Sequence, residues 1–135
     1  MSSIHHFPVR VYYEDTDAGG VVYYANYLKF LERARTEWLR ELKIEQDALL
    51  KQAVGFVVRH VEMDNLRPAK FNELITVSSK ILSLKKASLV FVQEIKNHKE
   101  QLLVSATIKV ACVNLQKMRA IAIPPFILEE ISRVC

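Results

Sequence analysis

Ala25-Asn26-Tyr27-Leu28-Lys29-Phe30-Leu31-Glu32-Arg33-Ala34-Arg35-Thr36-Glu37-Trp38-Leu39-Arg40-Glu41-Leu42 is the one long stretch of this chain with helical periodicity, and the character of its two faces decides the fold. On a helical wheel of about 100° per residue, Tyr27, Leu28, Phe30, Leu31, Ala34, Trp38, Leu39 and Leu42 gather on about half the circle. Lys29, Arg33, Thr36 and Arg40 take the other half. An apolar arc that wide predicts a helix wrapped by other elements, not one laid on a flat surface. Arg35 and Glu41 interrupt it, and a buried Arg35 calls for an ion pair within or between subunits.

The flanking sequence supplies the wrapping. A β-prone run over residues 7–13 precedes the helix, and a shorter helical stretch over residues 46–52 follows it before Gly55. The period then becomes two: Val57, Arg59, Val61 and Met63 alternate with Val58, His60, Glu62 and Asp64 up to the stop at Arg67-Pro68. Residues 74–84, 87–95 and 102–114 are three further strands. The last places Leu102, Val104, Ala106, Ile108, Val110 and Cys112 on one face, with Ser105, Thr107 and Lys109 on the other. The turns at 83–86 and 97–100 are too short for parallel crossovers, so these strands are antiparallel. Residues 118–123 add a strand, and Pro124-Pro125 opens a C-terminal helix carrying Phe126, Ile127, Glu130 and Ile131. The pattern predicts an α+β fold, a single curved antiparallel sheet around the long helix. Such a sheet leaves an edge strand to cover, which predicts at least a dimer.

With 135 residues, half of them apolar and a quarter charged, and with three glycines and four prolines, the chain is expected to be one domain over residues 1–135. Cys112 and Cys135 form neither an obvious disulfide pair nor a metal-ligand spacing, so no metal is expected. Reduced thiols point to a reducing compartment, the cytoplasm. Residues 1–10 hold no apolar leader core, and the longest apolar stretch, 120–128, contains two prolines, so neither secretion nor a membrane span is expected. The net charge of +4 favours anionic partners. Nucleic acid is set aside, because no recognition motif and no basic cluster on the long helix accompany that charge.

Chemistry concentrates just before the helix, in Tyr12-Tyr13-Glu14-Asp15-Thr16-Asp17-Ala18-Gly19-Gly20-Val21-Val22-Tyr23-Tyr24-Ala25-Asn26-Tyr27. Three carboxylates in four positions and two glycines deliver an acid beside the unpaired N–H groups and positive dipole end of a helix start. Such a place suits a developing oxyanion.

The run from Glu14 to Tyr23, followed by Ala25-Asn26-Tyr27 and the helical Phe30-Leu31-Glu32-Arg33-Ala34-Arg35-Thr36-Glu37, resembles the 4-hydroxybenzoyl-CoA thioesterase family. Within it the chain is most similar to the YbgC-like acyl-CoA thioesterases associated with the bacterial Tol–Pal system. Leu66-Arg67-Pro68-Ala69, with Leu74 after it, strengthens the resemblance, which covers about residues 10–113. It implies the hotdog fold, a long helix wrapped by an antiparallel sheet, and an acyl-CoA thioesterase that hydrolyses its substrate to free acid and CoA without a cofactor. It places the catalytic carboxylate at Asp17 and an oxyanion-binding backbone N–H at Tyr24, with Gly19 and Gly20 allowing close approach. The rings of Tyr13 and Tyr24, beside a buried helix, either line the acyl pocket or belong to the core. Where the YbgC branch commonly has His, this chain has Tyr24, which a backbone role tolerates.

One carboxylate suffices chemically. A thiol with a pKa near 8.5 leaves as thiolate without strong acid help. Asp17 then either attacks the thioester, giving a mixed anhydride, or deprotonates a water. Asp15 and Glu14 read as structural or solvated residues. The phosphates of CoA give the basic excess a use, with Arg59, Lys85 and Lys86 as the chosen candidates from a wider set that includes Arg67 and Lys70. Two other readings compete: a hotdog hydroxyacyl-thioester dehydratase, and a non-hydrolytic module binding acyl thioesters or acyl carrier protein. A homodimer or homotetramer is expected, because so small a domain has little to spare for a lid.

Overall fold

The computed structural model describes residues 3–135. Its centre is helix α1, Asn26–Glu41, whose Tyr27, Phe30, Leu31, Ala34, Trp38 and Leu39 are all buried. Of the predicted arc only Leu28 stays largely exposed, at 40 %, so the helix is enclosed on nearly the whole apolar side. Around it lies one antiparallel sheet of β1 (His5–Arg10), β2 (Val54–Asn65), β3 (Leu74–Leu84), β4 (Ser88–Lys96), β5 (Leu102–Asn114) and β6 (Arg119–Ala120). The main path runs β1-β3-β4-β5-β2, with β6 paired to β5. Helix α2, Gln46–Lys51, follows α1, and α3, Pro125–Ser132, closes the chain. A long helix held by a curled antiparallel sheet is the hotdog arrangement.

Alternation accounts for the sheet. β4 buries Leu89, Phe91, Gln93 and Ile95 toward the helix and leaves the residues between them half-buried. Trp38 of α1 meets Phe91 edge-on, with ring centroids 5.3 Å apart. β3 and β5 have the predicted bounds. Two segments differ from expectation. The first strand ends at Arg10 instead of reaching Tyr13, because Asp15 turns back and its carboxylate accepts the Tyr12 backbone N–H at 2.8 Å, winding Tyr13–Asp15 into a single 3-10 turn. The strand expected over 118–123 shrinks to Arg119–Ala120, since Ile123 leaves the ladder and its N–H bonds to the Lys86 carbonyl at 2.8 Å.

The sheet has two distinct ends. Arg10 pairs with Leu74, and the Leu66 N–H bonds to the Leu103 carbonyl, so β1, β2, β3 and β5 converge at one end around the acidic-glycine loop. The β3–β4 turn and Val54 lie at the other end. The edges differ too: β1 carries Pro8, a common way to blunt an edge, whereas the twelve-residue β2 exposes Val58 and Val61 along an unpartnered side.

Candidate active site

The acidic-glycine loop is a folded unit. The Asp17 N–H bonds to the Val21 carbonyl at 2.9 Å, and the Gly20 N–H returns to the Asp17 carbonyl at 3.0 Å. Gly20 sits at φ +78°, a left-handed conformation that closes this turn and that a side chain would strain. Within the turn the Gly19 N–H donates to Asp17 Oδ1 at 2.8 Å. A Cβ added at Gly19 would sit 3.2 Å from that oxygen, so glycine here makes room for the carboxylate. Asp17 is thereby fixed in direction and exposed to solvent, the condition a nucleophile or base needs.

Asp15 has the opposite environment. It is 9 % exposed, and its backbone carbonyl accepts both the Tyr23 N–H at 3.0 Å and the Asn26 Nδ2 amide at 2.9 Å. These bonds tie the loop to the start of α1, which agrees with its structural reading. Glu14 lies exposed in the 3-10 turn.

Where the loop enters α1, no side chain caps the helix. The Asn26 N–H bonds to the Tyr23 carbonyl at 2.8 Å, and the Tyr27 N–H bonds to the Tyr24 carbonyl at 3.3 Å. Among the described residues none accepts the backbone N–H of Tyr24 or of Ala25. Two adjacent free donors at the positive end of a sixteen-residue helix are positioned to meet negative charge. Ala25 is an addition to the sequence-based reading, which singled out Tyr24 alone.

A second layer holds this unit in place, and two of its members were missed as site residues. Val21 forms a β-bridge with Lys70, and the Val22 N–H bonds to the Ala69 carbonyl at 2.8 Å. Ala69 is gripped from the other side, its N–H donating to the buried Tyr27 hydroxyl at 3.0 Å. Burial is the main cause of the raised Tyr27 pKa, with the Ala69 hydrogen bond opposing it and Glu73 adding to it. Phe71 donates its N–H to the Gly20 carbonyl at 3.1 Å and packs its ring 6.0 Å from that of Tyr13. Tyr27 reads as plain core from periodicity alone. Phe71 carries only one signal, its place two residues after the Leu66-Arg67-Pro68-Ala69 block.

Tyr13 is 79 % exposed and Tyr24 59 %, so neither ring is core within one chain. With Tyr12, Tyr23 and Phe71 they are exposed aromatic residues around the loop, Tyr13 against Phe71 and Tyr23 against Tyr24.

The predicted phosphate-binding residues are not brought together. Arg59 is the exposed, unpaired residue at the β2 bulge between Val58 and His60. Lys85 and Lys86 lie in the β3–β4 turn, separated from the loop end by the length of β3, roughly 33 Å of strand. Beside the loop itself, a cavity of about 420 Å³ is lined by Arg67, Lys70, His98 and Lys99. Its one acid, Glu73, is engaged by the Lys70 N–H at 2.8 Å. Among the described residues no cluster of His, Cys, Asp and Glu is arranged to hold a metal, and no helix is long and apolar enough to cross a membrane.

The chain has relatives among known proteins. Residues 11–131 match the thioesterase-like superfamily. The chain is 44 % identical over 132 residues to the acyl-CoA thioester hydrolase YbgC of Escherichia coli O6:H1, covering 98 % of each chain. It is 50 % identical over 119 residues to the acyl-CoA thioesterase YbgC of Haemophilus influenzae, covering 87 % of each. Among solved structures it superposes on a probable thioesterase from Bartonella henselae with a TM-score of 0.85 and 37 % identity, over 90 % of this chain and all of that one.

Proposed function

The chain belongs to the thioesterase-like superfamily, and from that premise we propose that it is an acyl-CoA thioester hydrolase working through Asp17. The observation that carries the assignment of roles is the pairing of a fixed, exposed carboxylate with open N–H donors across one short loop. Asp17 is aimed by the Gly19 N–H, and the donors at Tyr24 and Ala25 have no partner among the described residues.

In the reaction, the Asp17 carboxylate either attacks the thioester carbonyl carbon or takes a proton from the water that does. In both routes the carbonyl oxygen gains negative charge and is met by the Tyr24 N–H. Collapse of that intermediate expels CoA as thiolate. The first route leaves a mixed anhydride on Asp17 that water then cleaves, and the second gives the free acid directly. Tyr24 contributes its backbone, so the absence of an imidazole at this position costs the scheme nothing.

The working unit in this reading is a homodimer formed through β2. Its unpartnered edge is long and carries exposed Val58 and Val61. Antiparallel pairing of two β2 strands sets the loop end of one protomer against the β3–β4 end of the other. That arrangement supports a role for the partner subunit's Lys85 and Lys86 near the CoA phosphates, alongside Arg67, Lys70 and Lys99 of the protomer supplying Asp17. Arg59, midway along β2, would lie at the junction.

Thiol release from a panel of short, long and aromatic acyl-CoAs tests the assignment. Wild-type protein is expected to release CoA from at least one of them. Asp17→Asn is expected to fold normally and lose about 10²–10⁴-fold in turnover, the usual worth of a positioned acid or base. Undiminished turnover in that variant would exclude Asp17, and tight binding without any release would make the protein a binding module.

A further inference from the structure

Arg35 is out of place for a residue so enclosed. It lies within the apolar arc of α1, and burial pulls its pKa down, with Glu32 opposing. Within the chain it has no ion pair: among the described residues no carboxylate reaches salt-bridge distance of it. Its recorded partner is neutral, Gln93 Oε1 at 3.0 Å. Gln93 is fully buried, and its amide nitrogen donates to the Leu31 carbonyl at 3.0 Å and to Ser79 Oγ at 2.9 Å. With both amide protons committed, its oxygen must face Arg35. The guanidinium is thus held in one orientation with most of its five N–H donors unspent.

Those donors border a cavity of about 110 Å³ between α1, α2 and the sheet. One water needs only roughly 10–15 Å³ of such space, so the cavity admits several waters or a short run of carbons. Phe56, Leu89 and Phe91 supply apolar walls, while Arg35, Glu32 and Gln46 make the polar end. A charge removed from water without a partner is costly, and an oxygen brought in by a ligand would remove that cost.

We propose that this cavity receives the acyl group of the substrate, and that Arg35, held by Gln93, selects acyl groups bearing a hydrogen-bond-accepting oxygen at their far end. The proposal rests on the thioesterase reading and on the β2 dimer. Antiparallel β2 pairing brings the Asn65 end of one strand, which leads into the Lys70–Val21 bridge of the catalytic loop, beside Phe56 of the other copy. The thioester then sits at one protomer's loop and the acyl tail enters the other protomer's cavity. Glu32, whose carboxylate accepts the Thr36 hydroxyl at 3.3 Å, adds a negative charge to the same end, which favours a neutral hydroxyl over a carboxylate.

The test compares hexanoyl-CoA, 6-hydroxyhexanoyl-CoA and adipoyl-CoA, matched in length. Wild-type kcat/KM is expected to be about tenfold higher for the hydroxylated chain than for the plain one, the worth of a hydrogen bond to a charged group, with adipoyl between them. In Arg35→Met the ratio is expected to fall to about one, mainly through loss on the hydroxylated substrate, and Arg35→Lys is expected to restore part of it. A wild-type enzyme that prefers hexanoyl-CoA or treats all three alike would overturn the proposal, and that measurement needs no variant. An equal loss on all three substrates in Arg35→Met would make Arg35 merely structural and overturn it as well. Release of thiol from none of the three, nor from any other acyl-CoA, would instead bring down the thioesterase reading beneath it.

Discussion

The Tyr27 hydroxyl joins stability to function through a single oxygen. It accepts the Ala69 N–H at 3.0 Å, and the Ala69 carbonyl in turn accepts the Val22 N–H at 2.8 Å, so the central helix reaches the acidic-glycine loop through one residue of the opposite segment. Tyr27→Phe leaves a buried N–H unpaired at a cost of about 1–3 kcal/mol, read as a lower urea midpoint at unchanged m. Because the loop loosens, turnover should fall as well, though far less than on changing Asp17. Alkaline pH gives an independent readout. Burial raises the Tyr27 pKa above its ordinary 10.0, so the folded chain keeps a proton that the unfolded chain releases. Its contribution to stability is therefore complete below about pH 10 and is lost as the pH rises further. The slope of stability against pH above that point should be shallower in Tyr27→Phe than in the wild type. Equal slopes would show that this hydroxyl is not desolvated in solution.

At the scale of elements, periodicity carried the fold and chemistry of the sequence carried the loop, each where a local rule governs. The strands Leu74–Leu84 and Leu102–Asn114 were legible to the residue, because alternation between a buried and a half-buried face is a property of each strand alone. The turn at Tyr13–Asp15 was not, since the β-propensity of Tyr12 and Tyr13 was overridden by the Asp15 carboxylate, whose inward direction only the fold decides. Asp17 and Tyr24 were singled out through a motif, and the structure adds only the geometry around them. Phe71 and the Ala69–Tyr27 clamp were not, because pairings across more than forty residues leave no local trace. Gln93 belongs to the same group: in sequence it is one polar residue in a β-alternation, yet in the fold it bonds α1, β3 and Arg35 at once. Gln93→Leu keeps similar volume and leaves the Arg35 guanidinium with no recorded acceptor. A loss of about 1–3 kcal/mol is expected, checked by denaturant unfolding. Combined with Arg35→Met the cost should shrink, since the guanidinium left without an acceptor is gone, although the Leu31 carbonyl and the Ser79 hydroxyl still lose the Gln93 amide. Additive losses would show that the two side chains are not coupled.

The whole molecule raises a question of completeness, because a single proposed assembly would account for its exposed features. The aromatic surface of Tyr12, Tyr13, Tyr23, Tyr24 and Phe71, the free edge of β2 and the separated basic groups are all explained if two chains pair through β2. A two-fold axis near the middle of β2, between Arg59 and His60, puts Val61 of each copy at the seam, opposite Val58 of the other. Val61 is 38 % exposed in the single chain, so Val61→Lys should change the stability of an isolated protomer by no more than about 0.5 kcal/mol. In a dimer it brings a lysine from each copy to the seam, about 10 Å apart along the strands, and a charge on a strand edge is the device by which natural sheets repel edge pairing. Sedimentation of Val61→Lys is therefore expected to show monomer at concentrations where the wild type is dimeric. Its specific activity should fall with dilution, and added salt should recover part of both by screening the two charges. A monomeric Val61→Lys with undiminished thiol release would mean that one chain holds a complete site, and the composite cavity would go with the dimer.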